Sequence, residues 1–317
     1  MSVPANDSVV SRLAGMHAAG RLGHAYLFMG PRGIGKHETA LALASRINCL
    51  KAGLGGTACD CASCRKITAG NHPDIFVVEK APDKAFITID QMRWITERLG
   101  FRALEGRVKC AIVRDADLVN EAAANALLKT LEEPSADTVL ILTSALPQAL
   151  PATLRSRCQA VRFPALANDV LAQCLKSRYD MPSDDAAALA AFGQGSPGRA
   201  AALGDGFMER RRALFDAFFG RGGTDDFIKA AGADRDSARE ALGVVLMAWR
   251  DALLIKAGDT EHVVNRDRQV EVQRLAGRFT FQELDGHVSR TIDAIRRIDG
   301  NQNIKIVLTV VREMVLI

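Results

Sequence analysis

The most specific chemical pattern in the chain is a glycine-rich loop, Gly30-Pro31-Arg32-Gly33-Ile34-Gly35-Lys36-His37. Seven of its eight positions match the phosphate-binding P-loop pattern G-x-x-x-x-G-K-[ST]. Glycines let backbone N–H groups face an anion, the following helix adds its positive end, and Lys36 would reach the outer phosphates. Gly30, Gly33, Gly35 and Lys36 are therefore candidate nucleotide-binding residues. A glycine turn that begins a helix and holds no nucleotide is the alternative interpretation.

The metal chemistry of a P-loop ATPase has weaker support. His37 stands where a hydroxyl should bind Mg²⁺, a hard cation that prefers oxygen ligands. The neighbouring candidate strand ends at Asp115-Ala116-Asp117, where an Asp should hold Mg²⁺ and a following Glu should orient water. Asp115 fits the first role, unless it is only a turn residue, but Ala116 replaces the Glu. We expect that any bound ATP or ADP is not hydrolysed.

Four of the seven cysteines, Cys49, Cys59, Cys61 and Cys64, are clustered in the sequence. Four thiolates suit tetrahedral Zn²⁺, and the two-residue gap between Cys61 and Cys64 lets both meet one metal. A closed four-thiolate site has no open position for water, so the Zn²⁺ would be structural. The single residue between Cys59 and Cys61 is an unusual spacing, which leaves the role of Cys59 open. Free thiols are the alternative.

Two arginines, Arg155 and Arg157, follow the last predicted strand within the segment Leu150–Cys158. Isolated arginines usually lie on a solvated surface, so composition alone favours that interpretation for each of them over contact with a phosphate.

The elements that must position these residues alternate in type. Apolar runs predict strands at 24–30, 75–78, 108–113 and 138–142. Helical periodicity follows at 36–50, 90–99 and 119–132. This alternation predicts an α/β domain with a mainly parallel sheet. After Pro164, only Ala-rich and Leu-rich segments of helical period continue, broken by glycines at 193–198 and 220–224.

Composition limits the class of protein. A length of 317 residues, 48% hydrophobic content and 25% charged residues predict a folded protein of two or more domains. No uncharged apolar run reaches the roughly 18 residues of a membrane span, so we expect a cytoplasmic protein. The net charge of +4 does not by itself indicate a dedicated nucleic-acid binder, so we expect any contact with DNA to be shared or weak. Residues 207–317 carry 18 basic and 17 acidic side chains, which favours a bundle that binds protein rather than DNA.

Several segments together resemble bacterial clamp-loader subunits of the AAA+ class. They are the P-loop, the cysteine cluster, His24–Phe28, Asn71–Asp74, Ala124–Pro134 and Ser156–Cys158. The resemblance implies an AAA+ P-loop domain with a parallel sheet and a zinc-binding insertion at 1–165. It also implies a small helical lid at 166–206 and an all-α collar, an oligomerisation domain, at 207–317.

The resemblance implies a function within a five-subunit ring. The gamma/tau subunits hydrolyse ATP there, whereas a catalytically silent member offers the arginine of its Ser-Arg-Cys motif, here Arg157, to a neighbour's ATP. His37 and Ala116 agree with the silent role. The expected partners are gamma/tau and delta subunits, with the sliding clamp and primed DNA reached through the complex. The chain would belong to a DNA-directed DNA polymerase holoenzyme, a nucleotidyltransferase, without ATPase or polymerase activity of its own.

Two other functions stay open on the sequence. One is an autonomous P-loop ATPase of the gamma/tau type, which would use Lys36 and Asp115. The other is a zinc-stabilised interaction module unrelated to replication. Arg199 lies one residue beyond the position of a phosphate-sensing lid arginine, so we assign it no such role.

Overall fold

The computed structural model describes residues 4–51, 59–179, 181–204, 206–220, 223–232, 234–300 and 302–313. The chain forms two compact units. The first comprises Met1–Leu166 with Ser196–Gly198, and the second comprises Ala167–Gly195 with Arg199–Ile317. The three-part division expected from the sequence is finer than these two units and stays a prediction.

The first unit is built on one sheet of five parallel strands in the order β2-β3-β4-β1-β5. The strands are β1 (Ala25–Met29), β2 (Ile75–Val78), β3 (Lys109–Val113), β4 (Thr138–Ser144) and β5 (Gln159–Arg162). The central strands are buried on both faces, which explains why their sequences are continuously apolar. The predicted α/β class with a parallel sheet is confirmed.

Helices cover both faces of this sheet. They are α1 (Pro4–Ala18), α2 (Lys36–Ile47), α3 (Ala62–Thr68), α4 (Ile89–Gly100), α5 (Glu121–Glu132) and α6 (Ala152–Arg155). Successive side chains of β1 point to opposite faces. Leu27 therefore joins the core beneath α4 and α5, whereas Tyr26 and Phe28 join the core beneath α1 and α2.

The described remainder of the chain is helical, as predicted. The helices are α7 (Asn168–Tyr179), α8 (Ser183–Phe192), α9 (Pro197–Ala202), α10 (Phe207–Phe219), α11 (Thr224–Ala231), α12 (Arg235–Lys256), α13 (Gln269–Arg278), α14 (Phe281–Asp299) and α15 (Ile304–Glu313). Trp249 of α12 lies in the core of the second unit and stacks on His287, with 4.5 Å between ring centroids. Among the described residues, no helix has the length and apolarity to cross a membrane.

A buried polar network fixes the edge of the sheet beside the cysteines. The fully buried carboxylate of Asp74 accepts hydrogen bonds from the backbone N–H groups of residues 104–106, at 2.7–2.8 Å. Asn48, at the end of α2, accepts the next two N–H groups through Oδ1. His72 accepts the N–H of Asp74 through Nδ1, and its Nε2 faces the Ser63 hydroxyl of α3. One set of side chains thus joins α2, α3 and the loop before β3.

Replacing Asp74 tests this network. In Asp74→Asn, an NH₂ group replaces an acceptor oxygen and leaves buried N–H groups unbonded. We expect urea unfolding to show a loss of about 2–3 kcal/mol at neutral pH. Glu105→Gln is the matched control, because this exposed carboxylate pairs among the described residues with Lys66 alone, and it should change stability by less than about 0.5 kcal/mol.

The same variant has a defined pH dependence. Burial alone would raise the pKa of Asp74, but the three N–H donors outweigh burial and hold this pKa below its usual value. The carboxylate therefore contributes its full stability above its ordinary pKa of about 4, and loses this contribution as pH falls below that value. The stability gap between wild type and Asp74→Asn should narrow below about pH 4. A constant gap would contradict the network.

Candidate functional site

The glycine-rich loop lies between the end of β1 and the start of α2. A Cβ atom on Gly30 would lie 2.2 Å from the backbone oxygen of Phe163, so only glycine fits where the chain leaves the strand. Gly33 and Gly35 have φ angles of +73° and +94°, a region that side chains disfavour. The loop then enters α2 at Lys36. This is the strand, loop and helix context that a P-loop requires.

Lys36 is turned back into its own loop. Its side-chain Nζ donates to the backbone oxygens of Gly30 and Pro31, at 2.6 and 2.7 Å. The residue is only 6% exposed. Burial lowers the pKa of Lys36, while the nearby carboxylates of Asp115 and Asp117 oppose this shift. The ammonium group is thus held by oxygen atoms of the chain itself.

A cavity of about 180 Å³ opens beside the loop. It is lined by Arg32, Gly33, Gly35, Lys36, His37, Glu38, Arg114, Asp115 and Thr143. The structure thus brings Asp115 to the predicted loop residues, and Gly30 adjoins the cavity through its bond to Lys36. The volume is below the roughly 300–1,000 Å³ of pockets that enclose a drug-sized ligand. This part of the site has room for phosphate groups rather than for a whole nucleotide.

Two cations at this cavity, Arg32 and Arg114, were not identified from the sequence. Arg32 lies inside the glycine loop, 3.8 Å from Asp117, and Arg114 follows β3 and pairs with Glu79 at 3.0 Å. The sequence indicated these two arginines only through their positions: Arg32 lies in the glycine loop, and Arg114 follows the carboxyl end of a predicted strand. Both guanidinium groups suit phosphate oxygens.

The groups expected to support hydrolysis are absent or otherwise engaged. The His37 Nδ1 atom is buried and has no hydrogen-bond partner among the described residues, and burial lowers the pKa of this imidazole. Ala116 lies buried in the 3-10 turn after β3 and supplies no carboxylate. Asp117 accepts the backbone N–H of Ala145 at 3.0 Å, which fixes its carboxylate within the strand-end turns. A neutral imidazole is a poor ligand for Mg²⁺.

A distant segment of the same unit closes over the loop. The Ser196 hydroxyl donates to the backbone oxygen of Arg32, and the N–H of Gly198 donates to that of Gly33, both at 2.8 Å. A Cβ atom on Gly198 would lie 2.7 Å from the Cα atom of Gly33, so the two backbones touch. The loop's conformation is therefore held by contacts within the protein.

The four clustered cysteines converge on one point. The sulfur atoms of Cys49, Cys59, Cys61 and Cys64 all lie within 4.8 Å of one another. Cys49 Sγ lies 3.5 Å from Cys59 Sγ and 4.0 Å from Cys61 Sγ. Tetrahedral zinc with Zn–S bonds of about 2.3 Å would place its sulfur ligands about 3.8 Å apart. The cluster thus fits one metal ion, and Cys59 lies within it despite its unusual spacing.

The start of α3 prepares this cluster for a cation. The N–H of Cys64 donates to Cys61 Sγ, and this bond is the largest of several hydrogen bonds that together lower the pKa of Cys61 to about 6. Cys61 is the residue that caps α3, so its sulfur also meets the positive end of the helix. His72 is not a further ligand, since both of its ring nitrogens face other partners.

Arg157 lies just beyond α6, at the surface of the first unit. Its guanidinium group donates to Glu132 Oε1 at 2.6 Å and to the backbone oxygen of Thr153 at 2.9 Å. The side chain remains 36% exposed. Arg155 is also exposed, and its side chain has no hydrogen bond or ion pair within the part of the chain that the structure describes. Of the two arginines, only Arg157 is held in a fixed orientation.

The parallel sheet, the glycine loop and the helix behind it place the first unit in the P-loop class of α/β proteins. The family described as "DNA polymerase III, delta subunit" matches residues 5–167, and its C-terminal counterpart matches residues 205–315. The DNA polymerase III subunit delta' of Bacillus subtilis is 31% identical over 296 residues, which cover 90% of this chain and 88% of that protein. The chain belongs to the family of DNA polymerase III delta' subunits.

Two further similarities concern related subunits. The DNA polymerase III subunit tau of Salmonella typhimurium is 34% identical over 165 residues, covering 52% of this chain and 25% of that protein. A DNA polymerase III gamma subunit-related protein from Thermotoga maritima aligns with a TM-score of 0.48 and 18% identity, over 96% of this chain and 99% of that one. The family membership excludes an interaction module unrelated to replication.

The close approach at Gly30 generates a stability prediction. In Gly30→Ala, the new Cβ atom meets backbone, which cannot move aside as a flexible side chain could. We expect urea unfolding to show a loss of about 1–3 kcal/mol. Gly15→Ala in the exposed part of α1 is the control, because nothing lies within 4 Å of its Cβ position. It should gain about 0.5–1 kcal/mol. A Gly30→Ala protein as stable as wild type would be inconsistent with this loop geometry.

Proposed function

We propose that this chain is the non-catalytic subunit of the cytoplasmic DNA polymerase III clamp loader. It assembles with gamma/tau and delta subunits into a ring that loads the sliding clamp on primed DNA. Its own contribution to catalysis is Arg157, an arginine finger that acts on the ATP of a neighbouring subunit. The observation that carries this proposal is the exposed guanidinium of Arg157, oriented by Glu132 and Thr153 outside the chain's own P-loop cavity.

The chemistry of phosphoryl transfer supports this assignment. Negative charge spreads over the γ-phosphate oxygens in the transition state, and an arginine from another subunit can neutralise it. The planar, permanently charged guanidinium offers two parallel N–H donors to such oxygens. The Arg157 guanidinium donates to oxygen acceptors at the surface. Phosphate oxygens can take the place of these acceptors, because they accept the same kind of N–H hydrogen bond.

The P-loop has a supporting role in this proposal. Nucleotide bound near Gly30, Gly33, Gly35 and Lys36 is not hydrolysed, because Ala116 cannot orient water and His37 cannot replace a hydroxyl ligand to Mg²⁺. The four cysteines hold a structural Zn²⁺ ion. The proposed domain boundaries at residues 165 and 206 separate the P-loop domain, a helical lid and a collar through which the ring assembles.

An autonomous ATPase of the gamma/tau type is the second candidate. The observation in its favour is that Lys36 and Asp115 line one cavity, as they would in a working site. It requires a water-orienting carboxylate in place of Ala116.

The arginine finger is tested in reconstituted rings with Arg157→Ala. We expect normal folding and assembly, since an exposed ion pair such as Arg157–Glu132 contributes only about 0–1 kcal/mol. The DNA- and clamp-stimulated ATPase of the ring should fall. The fall should be smaller than the roughly 10³–10⁵-fold effect of a finger at a single site, because other ATP sites in the ring persist.

Arg155→Ala is the matched control and should leave this rate nearly unchanged. The isolated wild-type chain should give no steady-state ATP turnover, whereas the gamma/tau alternative requires turnover at ordinary NTPase rates. Arg157→Ala rings that hydrolyse ATP and load clamps at the wild-type rate would return Arg157 to a surface role.

The metal site is tested by metal analysis of protein purified without chelator. We expect about one zinc per chain, and its loss in the double variant Cys61→Ser, Cys64→Ser. Cys174→Ser, outside the cluster, should keep the metal. Removing zinc should destabilise the first unit, since metal binding contributes directly to folding.

The single variant Cys59→Ser decides whether this residue is a ligand, and we expect it to weaken zinc binding. Protein that contains no zinc, or a Cys61→Ser, Cys64→Ser double variant with undiminished zinc, would contradict the assignment.

A further inference from the structure

A second cavity, of about 620 Å³, lies within the helical second unit. Three helix ends meet there: the end of α11 and the starts of α12 and α15. The lining residues are Ile228, Lys229, Gly232, Arg235, Gln302, Asn303, Ile304 and Lys305. Three of these residues are cations, two carry side-chain amides, and none is acidic.

The three cations, Lys229, Arg235 and Lys305, are exposed. Their side chains form no hydrogen bond or ion pair within the described residues of the chain. This differs from nearby surface arginines. Arg239, one turn further along α12, bonds to both Asp236 and Asp299.

The acidic side chains beside the cavity form hydrogen bonds and ion pairs with groups outside the cavity lining. The Asp234 carboxylate caps α12, where it accepts the N–H and hydroxyl of Ser237 at 2.9 and 2.7 Å. Asp236 and Asp299 pair with Arg239. Asp226 accepts the backbone N–H of Gly223 at the start of α11. None of these four carboxylates lines the cavity, and among the described residues none forms an ion pair with Lys229, Arg235 or Lys305.

Backbone geometry adds to this charge. Gly232 has a φ of +78°, so the chain turns sharply between Lys229 and Arg235 and brings the two side chains to one cavity. Arg235 and Lys305 lie in the first turns of their helices, at the positive ends of the helix dipoles. Amide groups of Gln302 and Asn303 complete a lining suited to oxygen anions.

We infer that this cavity binds phosphate groups, either of a free polyphosphate or of a nucleic-acid backbone. Its volume lies within the roughly 300–1,000 Å³ range of ligand pockets, so it can hold several phosphates. The inference does not depend on the roles proposed for Arg157 or the P-loop. The nearly even charge of residues 207–317 conceals this site, because three cations converge on a cavity whose lining has no acidic residue.

The test compares two double variants of the full chain with the same change in net charge. Arg235→Glu, Lys305→Glu alters the cavity. Lys176→Glu, Arg274→Glu alters two exposed cations elsewhere in the unit. The cavity variant should stay folded, because glutamate in the first turn of a helix interacts favourably with the helix dipole. Circular dichroism and thermal unfolding check this.

Two probes distinguish the sources of phosphate. Fluorescence anisotropy at low salt measures the binding of a labelled single-stranded oligonucleotide, and calorimetry measures tripolyphosphate. For a backbone site, oligonucleotide affinity should fall at least about tenfold in the cavity variant relative to the control. The slope of log K against log salt should decrease by about 1.4, since each single-strand phosphate contact contributes about 0.7. For a free polyphosphate site, the cavity variant alone should bind one tripolyphosphate fewer per chain.

Either change, confined to the cavity variant, supports the site. The inference is overturned if the folded cavity variant binds both probes as the control variant does. It is equally overturned if the wild-type chain binds neither.

Discussion

The buried ammonium group of Lys36 is the constraint around which the first unit's loop is organised. A buried charge without partners would be very costly. The backbone oxygens of Gly30 and Pro31 therefore turn inward and accept hydrogen bonds from the Lys36 ammonium group. The loop can follow this path only because Gly30, which lies against the backbone of Phe163, has no side chain. The contacts of Ser196 with the loop then fix the same shape from outside. A loop whose polar groups bond to one another in this way keeps its conformation without nucleotide.

The position of the cysteine cluster depends on a second buried charge, the Asp74 carboxylate. Backbone N–H donors stabilise this anion, whereas backbone oxygen acceptors stabilise the Lys36 cation. Among the described residues the Asp74 carboxylate forms no ion pair; it accepts hydrogen bonds from three backbone N–H groups, which stabilise its ionised form. Asn48 and His72 extend this network to the end of α2 and to α3. Because Cys49 follows α2 and Cys61 begins α3, the network holds both sides of the cluster in place. A metal ion would therefore meet a site that is largely formed beforehand.

Features that are encoded in the local spacing of residues could be predicted from the sequence. Contacts between residues that are distant in the sequence could not. Apolar runs located four strands, but β5 was missed because only Val161 among its four residues is buried. The glycine loop and four cysteines have diagnostic spacings, so the sequence indicated both sites. The bonds of Asp74 reach loop residues about 30 positions away, and nothing in local periodicity reports them. Likewise, Arg157 was a candidate from its motif, whereas its partner Glu132 emerged only from packing.

Two arginines of this chain, Arg211 and Arg157, differ in how easily their guanidinium groups can exchange one partner for another. Arg211 is fully buried and bonds to Asp267 and Asn265, so removing one member would strand a charge in the core at a cost of about 3–5 kcal/mol. Arg157 bonds to Glu132 at the surface, where water already competes and the pair contributes about 0–1 kcal/mol. The first arrangement fixes a fold, because its guanidinium cannot be released. The second holds a guanidinium in position and yet lets it exchange a carboxylate for a phosphate at little cost, which is the property that an arginine acting on a neighbouring subunit must have.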